Sequence, residues 1–191
     1  MSRRFIAAFA LAVSAGVQAQ DAETRRLVEE TKAVALGMQQ QIATRLRAEI
    51  DKGGVEAAIA VCSTVAEATA GRVSRERGWR VARVSLRARN PLIGLADPWE
   101  QRVLLDFTAR QAKGEDAVPM EQSEIVTEPA GRYLRYLKAL PVAPLCMNCH
   151  GPENTLKPEV RAALQREYPG DRATGFTVGQ VRGGLTVKRP L

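Results

Sequence analysis

EIVTEPAGRYLRYLKA, residues 124–139, is the stretch that decides the fold. Glu124 to Thr127 and Gly131 to Ala139 read as two strands, rich in β-branched and aromatic residues, with Glu128-Pro129-Ala130 as the turn between them. Working outward, a short helix follows from about Pro158 to Tyr168, and a Gly-rich turn region leads to a last strand, Leu185 to Arg189. Upstream, Asp97-Pro98-Trp99-Glu100 starts a helix: it supplies an N-cap, a proline at the first helical position and a glutamate three residues after the cap. That helix runs to about Lys113 and ends at Gly114. Before it, Trp79 to Leu86 reads as a strand, and Arg89-Asn90-Pro91 to Asp97 as a loop.

Two helices open the chain. From Asp21 to Asp51, Leu27, Thr31, Val34, Met38, Ile42, Leu46 and Ile50 recur at spacings of three and four. Gly53-Gly54 ends that run, roughly 40 Å long at 1.5 Å per residue. Its apolar stripe must be buried on the domain itself or on a second copy, which makes it a homodimer candidate. A second helix spans about Val55 to Arg77, with Ala58, Val61, Cys62, Val65 and Ala66 on one face, closed by Gly78. Helices, a strand, a helix, two strands, a helix and a strand give an α+β fold: a small antiparallel sheet with flanking helices and a long N-terminal helix.

Residues 1–19 have the layout of a signal peptide. Arg3 and Arg4 form a positive n-region, Phe5 to Val17 an apolar h-region, and Val17-Gln18-Ala19 a small-residue cleavage site. About 13 apolar residues are too few to span a bilayer, and no later segment comes near that length. The expectation is therefore a cleaved, periplasmic protein with no transmembrane segment, residues 20–191 forming one domain. Of the net charge of +7, removing Arg3 and Arg4 leaves +5. The basic residues are scattered and aromatics make up 5% of the chain, so no basic stripe with interleaved aromatics marks a nucleic-acid surface.

Between Pro144 and Gly151 lies Cys146-Met147-Asn148-Cys149-His150. Two thiols two residues apart can each add to one vinyl group of haem, and the following imidazole can ligate the iron. A zinc ribbon needs a second cysteine pair or more histidines, and His150 is the only histidine in the chain. A thioredoxin-type pair follows a strand and opens a helix in a βαβ unit, whereas this motif follows a Pro-x-x-Pro loop. The reading is one covalent haem c, held by Cys146 and Cys149, with His150 on the iron.

The second axial position cannot take a histidine. Met147 lies inside the attachment loop and cannot reach the opposite face. Met38, Met120, a lysine, Cys62 or no side chain remain open; Met38 falls on the apolar stripe of the first helix, where packing is its ordinary use, and Met120 lies in a polar loop. Cys62 is the odd cysteine, on an Ala- and Val-rich helix face that suits a flat macrocycle. As a thiolate ligand it would be soft and anionic and would favour the ferric state.

The runs Ala58-Ile59-Ala60-Val61-Cys62-Ser63, Val84-Ser85-Leu86-Arg87-Ala88-Arg89-Asn90-Pro91, Trp99-Glu100, the Cys146–Gly151 segment and Tyr168-Pro169-Gly170-Asp171-Arg172-Ala173-Thr174-Gly175-Phe176 occur in this order. Together they resemble a family of secreted c-haem domains with a PAS-like fold, long catalogued as a domain of unknown function. Its members occur alone, as in a cyanobacterial cytochrome, or as sensor domains of membrane histidine kinases. The resemblance implies a PAS-like antiparallel sheet and axial ligation by Cys62 and His150. It also places Arg89 near the haem, where it could hold a propionate through a bidentate contact. The sensor members continue into a kinase, and this chain carries no such domain after the haem module.

Three functions follow as expectations. A lone c-haem domain with no nucleophile–base constellation suits electron transfer with a periplasmic redox partner and is not read as an enzyme. Displacement of a labile Cys62 ligand suits redox or gas (CO or NO) sensing. Peroxidase-like chemistry requires an iron site that Cys62 leaves open.

Overall fold

The computed structural model describes residues 4–191, the side chains of 4–19, 60 and 61 excepted. Of the signal peptide read at residues 1–19, residues 1–3 and the side chains of 4–19 lie outside the described residues. Helix α1 is Arg4–Arg77, one helix in outline but broken at Gly54, whose φ of 77° and ψ of −176° are not helical. The break expected at Gly53-Gly54 is therefore real, and it deflects the helix rather than separating two elements by a loop. A side chain at this positive φ would be strained, which is why glycine stands there.

Strand β1 is Arg80–Val84, β2 Glu121–Glu128, β3 Gly131–Pro141 and β4 Val181–Pro190. They form one antiparallel sheet in the order β1-β4-β3-β2. The last strand of the chain thus lies inside the sheet, between β1 and β3. On one face Val81, Tyr136, Leu185 and Val187 pack against Ala35, Met38, Ile42, Ala66 and Val73 of α1. The apolar stripe of the first half of α1 is therefore covered by the domain's own sheet, and Met38 is a core residue.

On the other face Val84, Leu137 and Ala139 meet Trp99, Val103, Leu104 and Phe107 of helix α3, Pro98–Ala112. Met120 lies in this core, 2% exposed, rather than in the polar loop read around it. The α3 start behaves as its sequence predicts. Asp97 accepts from the Glu100 amide and Glu100 from the Asp97 amide, a complete capping box. The fully buried Glu100 also accepts from Arg80 at 2.6 Å and from the Thr186 hydroxyl at 2.7 Å, and lies 3.3 Å from Arg135. The carboxylate that caps α3 is therefore also a tie to the sheet.

Helix α2, Pro91–Gly94, is a single turn inside the stretch read as loop, capped by Asn90. Helix α4, Met147–His150, and helix α5, Pro158–Glu167, complete the set. Mixed α+β with a small antiparallel sheet, flanking helices and a long N-terminal helix is the architecture found. Among the described residues no helix is long and apolar enough to cross a membrane.

Candidate functional site

The Cys-x-x-Cys-His run is wound into helical turns from its first residue. Pro144–Cys146 is a 3₁₀ turn that passes directly into α4, and the Gly151 amide closes it by donating to the Met147 carbonyl at 3.1 Å. A Cβ at residue 151 would stand 2.7 Å from that same oxygen, so the turn needs glycine there. Winding sends the two cysteines to different neighbours. Cys146 packs with Met147 beside Val142, Ala173 and Phe176. Cys149 packs beside Ile59 of α1 and Leu156, Val160, Leu164 and Tyr168 of the α5 region. Burial pushes the Cys149 thiol up to about 11, against the opposing Arg89 charge and with Cys62 and Cys146 adding to the rise.

Cys62 lies on α1 past the Gly54 break, half-buried and not in a disulfide. It is within electrostatic reach of Cys149, Tyr168 and Arg182. The fold therefore brings the odd cysteine to the motif across 84 residues of chain, as α1 lies along α5. Among the described residues no group of three or more His, Cys, Asp or Glu side chains converges as a bare metal ion requires.

His150 is held by the loop between α5 and β4. Its Nδ1 lies 2.6 Å from the Ala173 carbonyl oxygen. A carbonyl can only accept, so the proton sits on Nδ1 and the lone pair on Nε2 is left for a ligand. The Arg89 Nη2 at 3.1 Å and the Arg182 Nε at 3.3 Å also approach Nδ1. Being donors, they cannot bond to a protonated Nδ1; the shorter carbonyl contact sets the tautomer. Burial pushes the His150 pKa down to about 2, and the charges of Arg89, Arg182 and Arg83 add to that. The ring is a neutral imidazole, the form in which histidine binds a metal.

The same loop clasps the motif by its backbone. The Phe176 amide donates to the His150 carbonyl at 2.9 Å and the Gly175 amide to the Gly151 carbonyl at 2.8 Å. Arg89 anchors the clasp. It donates to the Cys149 carbonyl and lies 3.1 Å from Asp171, whose other oxygen accepts from the Ala173 amide at 2.7 Å. Arg89 is 9% exposed and Asp171 10%. Arg89 does sit at the site, with its guanidinium turned inward to the peptide around His150. Asp171, Ala173 and Arg182 were not among the expected site residues. Arg182 stands at a register shift, because Leu140 pairs with Gly183 and Pro141 with Val181. The residue left over is a β-bulge, which re-aims its side chain and has no signature in a two-residue period.

The fold and the site define a small α+β domain that presents one Cys-x-x-Cys-His turn between a long helix and the end of an antiparallel sheet. The chain belongs to the Tll0287-like family, whose model matches residues 14–190. It is similar to the crystal structure described as that of the cyanobacterial heme-protein Tll0287, at 25% identity and a TM-score of 0.60, over 84% of this chain and 95% of that one. No curated protein matches it.

Proposed function

We propose that this chain is a periplasmic mono-haem c-type protein that transfers electrons, with Cys146 and Cys149 bonded to one haem and His150 and Cys62 on its iron. The observation that carries the reading is the 2.6 Å contact of the His150 Nδ1 with the Ala173 carbonyl oxygen. The chain's sole imidazole follows the second motif cysteine, is kept neutral, and donates through Nδ1 to a backbone carbonyl, a pattern typical of histidine metal ligands. The family neighbour that is itself a heme-protein supports the same group here.

When bound, the haem supplies a one-electron couple at its iron. The chain's residues do the rest. The α4 turn sets both thiols and the imidazole in one short segment, Arg89 and Asp171 fix the carbonyls around it, and α1 brings up Cys62. A thiolate on the second axial position would favour the ferric state and lower the reduction potential relative to a methionine ligand. Met38 and Met120 are packed in the two sheet cores and are poor candidates for that position.

The test is a denaturing gel stained for haem, on protein made in a host that matures c-type cytochromes. The wild type is expected to keep its colour through acid–acetone extraction, and the double substitution Cys146→Ala, Cys149→Ala to lose it. A wild type stripped of colour overturns covalent attachment. Sequencing of the exported protein from Gln20 checks the compartment, and stopped-flow exchange with periplasmic redox proteins checks the electron-transfer role.

A second reading, redox or gas sensing, draws on one feature. Cys62 rides on a helix segment that departs from the rest of α1 at Gly54. Release of Cys62 on reduction would free that segment and open the position to CO or NO. Spectra of the reduced protein with and without CO decide between the two; an unchanged six-coordinate spectrum counts against sensing.

A further inference from the structure

The bulge aims Arg182 at His150, its Nε 3.3 Å from the imidazole Nδ1. Arg80, Arg89 and Arg135 each have a carboxylate within ion-pair distance. Among the described residues Arg182 and Arg87 have none: Asp171 acts on Arg182 only at longer range, and Arg87 donates to the Arg172 and Thr174 carbonyls, which leaves its remaining N–H groups and its charge for an anion. Both guanidiniums flank one aromatic ring: the Arg87 Cζ is 4.4 Å and the Arg182 Cζ 6.0 Å from the Phe176 centroid. Two like charges beside one ring, one exposed and the other half-buried, attract an anion to the space they share.

The space for one is present. A half-open cleft of about 180 Å³ lies between the end of β1, helix α3 and the start of β4, and Arg87, Arg182, Phe176, Leu104, Thr108 and Val181 line it. Its wall is mostly apolar, with guanidinium groups along one side. That combination fits a carboxylate on a short hydrocarbon chain, since arginine receives carboxylates through paired N–H donors.

We infer that this cleft is a carboxylate-binding site, with Arg182 and Arg87 receiving the anion and Phe176, Leu104 and Val181 its hydrocarbon part. The carboxylate has two sources: a free short-chain acid, or a propionate of the proposed haem, and only the second rests on the haem reading. Because the Arg182 Nε lies 3.3 Å from the His150 Nδ1, an anion on Arg182 offsets positive charge directly behind the imidazole.

The experiment compares butyrate with its neutral isostere butyramide in thermal-shift and calorimetric titrations of the haem-loaded protein, beside Arg182→Gln and Arg182→Lys. For a free acid, butyrate alone raises the melting temperature, R182Q weakens its binding about tenfold or more, and R182K retains most of it. For a haem propionate, butyrate has no effect on the wild type, and R182Q but not R182K shifts the propionate-bending band in the resonance Raman spectrum. Either pattern supports the site. Equal behaviour of butyrate and butyramide, together with an unshifted band in R182Q, overturns it. Should R182Q not fold, Arg87→Gln is read in the same two assays with the same criteria. If the protein proves to carry no haem, the butyrate comparison still decides the free-acid case.

Discussion

At the scale of single residues, Cys62 is the side chain whose removal is most informative. Cys62→Ala takes an anionic donor from the proposed iron site without disturbing the α4 turn. The reduction potential is expected to rise and the ferric absorption spectrum to lose its thiolate character. Spectroelectrochemistry of the two proteins checks it, and identical potentials would remove Cys62 from the ligand set. Arg89 calls for a different measurement. Arg89→Met leaves the 10%-exposed Asp171 without its cation and frees the Cys149 carbonyl. Breaking a buried pair from one side costs about 3–5 kcal/mol, so the denaturant midpoint should fall steeply. Arg89→Met with Asp171→Leu should recover part of the loss, and a double variant no better than the single would mean the pair contributes little.

The motif itself was plain in the sequence because two sulfurs and the only histidine are fixed by spacing alone. What surrounds it was not. Ala173 acts through a backbone carbonyl, which any residue type supplies, and Asp171 reads as one more loop aspartate. Arg182 hides in Val181-Arg182-Gly183-Gly184, where nothing in the order of residues announces that one of them drops out of register.

Among the elements, α3 shows how local signals suffice when they agree. Asp97, Pro98 and Glu100 fixed its start to the residue, and Gly114 its end. Removing the cap by Asp97→Ala should cost about 1 kcal/mol from the helix end alone. It should cost more in total, since Arg135 loses its 2.6 Å partner. Urea titration would measure this, and a change of a few tenths would show the cap to be dispensable. Strand β2 shows the opposite. It begins at Glu121, three residues before the expected start, and Gln122, Ser123 and Glu124 are exposed. An edge strand with a wet face carries no apolar alternation there, so the period that reveals strands is absent. Met120 was misplaced for the same reason: a core residue that ends a polar stretch looks like part of that stretch. The long α1 was legible down to its break, because glycine pairs interrupt helices and the apolar spacing resumes after them.

For the whole molecule, the response to acid follows from its carboxylates. Asp97 and Glu121 are both held below their usual range. Burial pushes each of them up, but the Glu100 amide and Arg135 outweigh it at Asp97, and Lys32 and the Tyr136 hydroxyl do so at Glu121. A carboxylate with a lowered folded-state pKa stabilises fully above its unfolded value, about 4, and loses that contribution as pH falls through that value towards the folded one. Melting temperature should therefore vary little from pH 7 to about 5 on their account and fall below about 4. Replacing Asp97 and Glu121 by their amides should flatten the acid limb, and a limb that keeps its slope would assign acid loss to other groups.

The strand that runs through the middle of the sheet is the last of the four in chain order. Until residues 181–190 arrive, β1 and β3 have no neighbour between them, and the 168–176 loop has no anchored strand to hold it over His150. Cys146 is covered by that loop and Cys149 by α1 and α5, so both thiols are most open before these elements come together. If the proposed haem is bonded to these thiols, the enzyme that attaches it has to reach them before the elements packed on them close.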